Sequence, residues 1–426
     1  KNNQTLTATG QWNDNSEEEE EVSCPKVYVY NLSSEFHDVD LDNVTSRDFT
    51  FGRKNKGWKG TLRTTYQHNG GLIMEHRLLQ PDNCYYTDNP AEADLFFVPL
   101  LMGPKKAHIW KEICQSLNVS RLLTELTFLN DKTACQHFFF FSKGHYSGEY
   151  CQGWFYDPVH QLQNAMRLAY SHVAGKAEDE DLMYFRQRSP TPEIYKARHP
   201  NLVSVPYPSN LHWDNEINYT YTMPWEKHTT NRNPNTLATS AALISFVGRF
   251  DHGDVPVRQK ILQLCRDVYH NNATICSIPD ADHEVHRKSY APSDDLFVKA
   301  SSTFCLEPAG DSPWRKSLSD SISFGCIPVL FHEMSDDVAP WHWGSWKQQA
   351  RVLVDRQAFL NSEIDLYALL SSIPPKLQGL MQLTLSKFAR QFQYSLNQDP
   401  HDGIHVTLTG LKNQMLENKR LGKCPV

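Results

Sequence analysis

The sequence predicts an α/β protein built as two units, each around a mainly parallel sheet, and three observations carry that expectation. Short apolar runs of strand length alternate with longer segments of helical periodicity. The alternation is interrupted once, by a link rich in Thr, Asn and Pro at Thr229–Thr239, and then restarts. The chain has 426 residues, 40% of them apolar and 12% aromatic, which is too long for one ordinary core and enough for two.

A polar segment, 1–23, ends in Glu17–Glu21 and reads as a solvated stalk or linker. Lys26–Tyr30 is the first strand, and helical periodicity follows over Thr64–Leu79. Ala93–Val98 is a short continuous apolar run, the pattern of a buried strand. Ala107–Leu129 is predicted helical, His137–Ser142 a buried strand, Pro158–Val173 an amphipathic helix and Leu202–Val205 a strand. Beyond the link come strand Leu243–Val247, helix Val257–Tyr269, strand Ala273–Ile278 and a short helix, Asp294–Ser301. Strand Thr303–Leu306, helix Pro313–Phe324 and strand Cys326–Phe331 complete the second unit. From Ser362 the tail reads as helical and able to pack on either unit. The units are therefore bounded at 24–228 and 240–361, with the tail at 362–426. A ligand is expected in the cleft between them, beyond the carboxyl ends of the strands.

A net charge of −7 and a pI near 6.3 argue against a nucleic-acid partner, which requires a basic footprint. No run of eighteen apolar residues is present, and the start at Lys1 carries neither Met nor a signal-peptide pattern. The chain is read as a trimmed luminal fragment whose membrane anchor is missing. Ten cysteines without zinc spacing, and sequons at Asn3, Asn31, Asn43, Asn118, Asn218 and Asn272, point to the secretory route. Cys265 and Cys276 flank a short polar loop and are expected to be able to pair. Cys24 and Cys424 are expected to pair with other cysteines, whereas Cys305 and Cys326, in apolar runs, read as buried free thiols.

Chemistry concentrates in Phe304–Phe331. A buried strand ends at Glu307, Pro308-Ala-Gly310 makes a tight loop, and Asp311 or Ser312 is placed to cap a helix opening at Pro313. Trp314, Leu318 and Ile322 form its buried stripe, and Gly325 stops it. A helix N-terminus aimed at the cleft suits a diphosphate. Arg315 and Lys316 in its first turn oppose the helix dipole, which makes sense if an anion sits there. Glu307 is placed either to accept hydrogen bonds from ribose hydroxyls or to pair with a structural Arg. Arg249, in the turn after a strand, is placed either to clamp a diphosphate or to pair with Asp251 or Asp254.

This segment, with its F-C-L-x-P-x-G-D-[ST] and G-C-I-P-V motifs, closely resembles the signature of exostosin-like glycosyltransferases (glycosyltransferase family 47) of the single-unit plant and algal sort. Other landmarks follow in order: Val27-Tyr-Val-Tyr-Asn-Leu32, the Tyr85–Pro99 stretch, His137–His145, Val205-Pro-Tyr-Pro208 with His212, and Phe246-Val-Gly-Arg249. Trp314, Lys316 and Gln136 depart from the usual family residues.

The resemblance implies a GT-B fold, two Rossmann-like α/β domains facing a cleft, with 24–228 on the acceptor side and 240–361 binding the nucleotide sugar. It implies inverting transfer from a UDP-sugar to a polysaccharide or glycoprotein, in a Golgi type II membrane protein. A catalytically silent partner subunit of a glycosyltransferase complex is the alternative. Donor-binding candidates are Arg249, Glu307, Gly310, Asp311, Ser312, Arg315 and Lys316. General-base candidates are His145, Glu149, His212 and Asp251. Asp-x-Asp recurs four times, at Asp38, Asp40, Asp179 and Asp280, too often in an acidic chain to mark a metal site. No metal or other cofactor is expected. Trp341–Trp346 is placed either to stack on sugar rings or to fill a cluster under the C-terminal helices.

Overall fold

The computed structural model describes residues 24–37, 51–53, 61–65, 67–80, 83–100, 118–144, 161–170, 201–212, 242–251, 253–278, 296, 298–310, 314–336, 338–395 and 401–424. Two five-stranded parallel sheets organise them, so the α/β class with two parallel units is the fold observed. The first sheet has the order β1 (Val27–Val29), β4 (Leu95–Val98), β5 (His137–Gly144), β6 (Met166–Tyr170), β7 (Leu202–Val205). In the second the order is β10 (Cys276–Ser277), β9 (Ala242–Ser245), β11 (Ser302–Glu307), β12 (Ile327–Leu330), β13 (Val352–Leu353). A small antiparallel sheet joins β2 (Phe51–Arg53), β3 (Thr61–Thr64) and β8 (Leu211–His212). The parallel strands are covered on both faces, so they read as continuous apolar runs; β4, β6, β11 and β12 are buried at every residue.

Among the helices that frame the sheets are α1 (Gly70–Leu78), α2 (Val119–Glu125), α3 (Val255–Gln263), α4 (Lys316–Ser323), α5 (Pro375–Phe388) and α6 (Gly403–Arg420). The tail helices pack on both sheets. Asp402, the N-cap of α6, pairs with the buried Arg77 of α1. Lys412 reaches Asp94 at 3.0 Å, and Cys424 is disulfide-bonded to Cys135. On the other side Phe392 stacks on Trp314, with ring centroids 5.8 Å apart.

Several expectations are corrected. Pro158–Val173 is not a helix: within it the structure shows one short turn, Gln161–Asn164, and then strand β6. All five β6 residues are buried, Arg167 included, so the segment lacks the polar face its periodicity implied. Helix α1 starts at Gly70 rather than Thr64, which belongs to β3. In Ala107–Leu129 the described helix is only Val119–Glu125. The strand expected over Ala273–Ile278 shrinks to Cys276–Ser277. Helix α4 begins at Lys316, not Pro313, and its N-cap is Arg315 in extended conformation, without a side-chain cap. The cause is Trp314: its fully buried ring is held between Phe392 and Trp343, and Arg315 leaves it in extended conformation, so the helix opens only at Lys316.

Cys305 and Cys326 are also not free thiols. They form a disulfide with Cα atoms 5.7 Å apart, because β11 and the start of β12 are neighbours. Cys265 pairs with Cys276, and Cys24 with Cys84. The Trp341–Trp346 tract fills a core: His342 and Trp343 are buried, and Trp346 stacks on Phe388 of α5 at 4.7 Å. Among the described residues no helix is long and apolar enough to cross a membrane. The stalk and the 229–239 link lie outside the described residues.

Candidate active site

The carboxyl end of β11 delivers Glu307 to the start of the loop that leads into α4. Glu307 is 3% exposed and sits in a knot of donors. Its Oε1 accepts from Lys299 Nζ at 2.7 Å, Ser321 Oγ at 2.6 Å and Ser317 Oγ at 3.0 Å. Ser317 and Ser321 stand four apart on α4, so both hydroxyls face the strand end. Among the described residues Oε2 accepts no hydrogen bond, and it faces Arg315 Nη1 at 3.5 Å. Burial works to raise the Glu307 pKa, but the Lys299 ammonium and the Arg315 guanidinium, with the hydrogen bonds, bring it below the ordinary carboxylate value. The group is an anion at neutral pH.

Arg315 links this knot to the turn after β9. Its Nη1 donates to Pro308 O at 3.2 Å and its Nη2 to Val247 O at 3.0 Å, with the guanidinium over the Phe246 ring. Arg258 of α3 makes a second link, donating to Arg249 O at 2.7 Å and Ala309 O at 2.9 Å. The two loops touch so closely that Gly253, at φ +75°, has no room for a side chain: a Cβ there would lie 2.8 Å from both Ala309 O and Gly310 Cα. Gly310 is closed in from the other side, where a Cβ would meet Arg315 Cγ at 2.9 Å.

Lys316 is bound to Asp320, four residues on, at 3.2 Å; burial lowers its pKa against that attraction. Asp320 in turn accepts from Asn210 N at 2.7 Å and Ser209 Oγ at 3.2 Å. These lie in the loop beyond the carboxyl end of β7, so the strand-end side of the first sheet meets the helix that follows β11.

Of the residues singled out in the sequence, the structure brings Glu307, Gly310 and Arg315 together, with Lys316 adjoining. Arg249 lies on the same loop set but its side chain is half exposed and makes a two-point pair with Asp251, at 2.8 and 2.6 Å. Asp254 instead caps α3 and holds Arg356. His212 is in β8, opposite Thr61. His145, Glu149, Asp311 and Ser312 lie outside the described residues. Sequence reasoning missed Lys299, Ser317, Ser321, Arg258 and Asp320. The Ser317–Ser321 spacing was available as a signal once α4 was placed; nothing local marks Lys299 as the partner of a carboxylate eight residues on.

Residues 22–341 match the Exostosin GT47 domain. The xyloglucan galactosyltransferase MUR3 of Arabidopsis thaliana is 29% identical over 187 residues, covering 43% of this chain and 27% of that protein. The probable xyloglucan galactosyltransferase GT17 of the same plant is 26% identical over 223 residues, 51% of this chain and 45% of its own. A third relative, xyloglucan-specific galacturonosyltransferase 1 of Arabidopsis thaliana, is 62% identical over 34 residues, 8% of this chain and 5% of its own. The chain thus spans less than half the length of these curated relatives. Among solved structures, the pneumococcal O-GlcNAc transferase GtfA in complex with UDP and GlcNAc covers 70% of this chain and 60% of its own at 10% identity and a TM-score of 0.33, too loose a likeness to match residues.

Proposed function

The chain belongs to the exostosin GT47 family, and from that premise we propose that it is an inverting glycosyltransferase moving a sugar from a UDP-sugar donor to a glycan or glycoprotein acceptor. The observation that carries the reading is Glu307. Three donors saturate one of its oxygens, while the other, buried beside Arg315, accepts no hydrogen bond among the described residues. A buried carboxylate oxygen lacking a donor is costly, and a ribose hydroxyl is a donor of the right kind. Arg315 and, nearer solvent, Arg249 supply positive charge for the diphosphate, so the proposal requires no metal. Gly310 lets the backbone approach the nucleotide, Lys316 adds charge at the start of α4, and Asp311 and Ser312 are proposed to complete the loop.

The names of the relatives make galactose or galacturonic acid the first sugars to test and xyloglucan the first acceptor. A Golgi-luminal setting is supported by the disulfides and by sequon residues Asn31, Asn118 and Asn272, which are exposed. Purified protein should release UDP from one donor of a UDP-sugar panel when given xyloglucan oligosaccharides, with EDTA present. Glu307→Gln should weaken UDP binding and lower turnover in parallel. Failure to bind UDP at all, or turnover that EDTA abolishes, would count against the proposal in its nucleotide or its metal-free part respectively.

A further inference from the structure

Inverting transfer requires a group that takes the acceptor proton as the new glycosidic bond forms. His37 and Glu75 make a pair suited to this, away from the donor-side residues. His37 Nε2 lies 2.8 Å from Glu75 Oε2. His37 stands in the loop leaving the carboxyl end of β1, and Glu75 on α1. The loop is held firmly. Ser33 N and Oγ donate to the two oxygens of Glu125 at 2.8 and 2.7 Å, Phe36 is fully buried, and Phe36 N and His37 N both bond Ser33 O.

The Glu75 side chain is 4% exposed and that of His37 17%. His37 is the only hydrogen-bond partner of the Glu75 carboxylate among the described residues. A carboxylate accepts only, so Nε2 is the nitrogen that donates to Glu75, and in the neutral ring Nδ1, which bonds nothing among the described residues, holds the lone pair. The placement also fits. Gly70 N, at the start of α1, donates to the hydroxyl of Tyr170, the last residue of β6, at 2.9 Å. Tyr170 stacks on Tyr207 at 4.3 Å, and two residues on begins the pair Ser209–Asn210 that grips Asp320 of α4. The dyad is thus on the side of the first sheet that meets the donor-side helix.

Resting on the transferase reading above, we propose that His37 is the general base and Glu75 its positioning residue. The acceptor hydroxyl gives its proton to His37 Nδ1 as its oxygen bonds to the anomeric carbon of the donor. The bond from that carbon to the diphosphate oxygen breaks, and UDP leaves with the electron pair. Glu75 stabilises the imidazolium until the proton passes to solvent.

The test uses the whole chain with the donor and acceptor pair that supports turnover. At a temperature where the variant stays folded, His37→Ala should lower kcat by about 100- to 10,000-fold with UDP affinity unchanged, and added imidazole should restore part of the rate. Glu75→Gln should lower kcat less and leave the acceptor KM unchanged. If His37→Ala stays within about threefold of an active wild type, or loses activity only in step with its melting temperature and without imidazole rescue, the assignment is overturned. A wild-type chain that turns over no pair removes the transferase reading, and this assignment with it.

Discussion

Asp320 of α4 and Asn210 of the loop after β7 grip each other at two points: Asn210 N donates to Oδ1 at 2.7 Å and Asn210 Nδ2 to Oδ2 at 3.0 Å. Ser209 and Lys316 bind the same carboxylate, and Asn210 Oδ1 accepts from Thr65 N at 2.9 Å. One buried anion therefore ties the second sheet's helix to two segments of the first unit. Asp320→Ala would leave those donors and Lys316 without their partner. The expected cost is about 3 kcal/mol or more, read by urea denaturation, with Asp320→Asn recovering part of it. A loss under about 1 kcal/mol would show that this contact does not hold the units.

Lys299 should behave as half of a pair. Its side chain is 3% exposed and that of Glu307 1%, and Lys299 Nζ also donates to Ser321 Oγ at 2.6 Å. Lys299→Met removes the main countercharge of a buried carboxylate and should cost about 3–5 kcal/mol. Adding Glu307→Gln removes the stranded charge, so the double variant should regain most of that loss. The pH dependence has a definite sign. The folded Glu307 pKa lies below its ordinary value of 4.5, so its contribution is present above that value and is lost as the pH falls toward the folded one. Lys299→Met should move acid unfolding to higher pH. Additive losses in the double variant would refute the pairing.

Much of the scaffold was legible because buried parallel strands are short apolar runs: β4, β5, β7, β9, β11 and β12 fall where the runs do. Strand β6 was not, since Leu162, Met166 and Ala169 also fit a helical stripe when the strand is read with the turn before it. Only the covering of both faces, a tertiary fact, decides for strand. The site divides likewise. Glu307, Gly310 and Arg315 share one loop whose motif is local. Lys299 and Arg258 reach it from other elements, and Asp320 becomes visible only when the loop after β7 arrives. The early start assigned to α4 has a comparable cause: proline and cap residues were present locally, but the burial of Trp314 sets where the helix begins.

The Cys305–Cys326 bridge closes a chain segment of 21 residues that contains Glu307, Gly310 and Arg315. Cross-linking a loop of that size restricts the unfolded chain by about 3 kcal/mol. Paired Cys305→Ala and Cys326→Ala substitution should lower stability by about that amount, measured by urea denaturation under oxidising conditions. Wild-type protein in strong reductant should fall toward the variant. Unchanged stability in the variant would mean that strand pairing between β11 and β12 alone fixes the segment.

Two histidines should make the fold sensitive to mild acid before Glu307 contributes. His137 is fully buried, with Nε2 2.8 Å from the Tyr30 hydroxyl and Nδ1 2.8 Å from Thr133 O. His342 is fully buried and held by Gly403 O at 3.0 Å and Thr407 Oγ1 at 3.2 Å. Burial pushes both down from 6.5 to about 4. Above pH 6.5 neither the folded nor the unfolded chain protonates these rings, and stability is unaffected. Between 6.5 and about 4 the unfolded chain binds protons that the folded chain refuses, so stability falls as pH falls. Below about 4 both forms are protonated and this loss stops growing. Each ring should remove roughly 3 kcal/mol across that window. His342→Asn should be less stable than wild type at pH 7 yet show a shallower decline toward pH 4. Parallel stability curves for the two proteins would mean that His342 is protonated as readily in the folded chain as in the unfolded one.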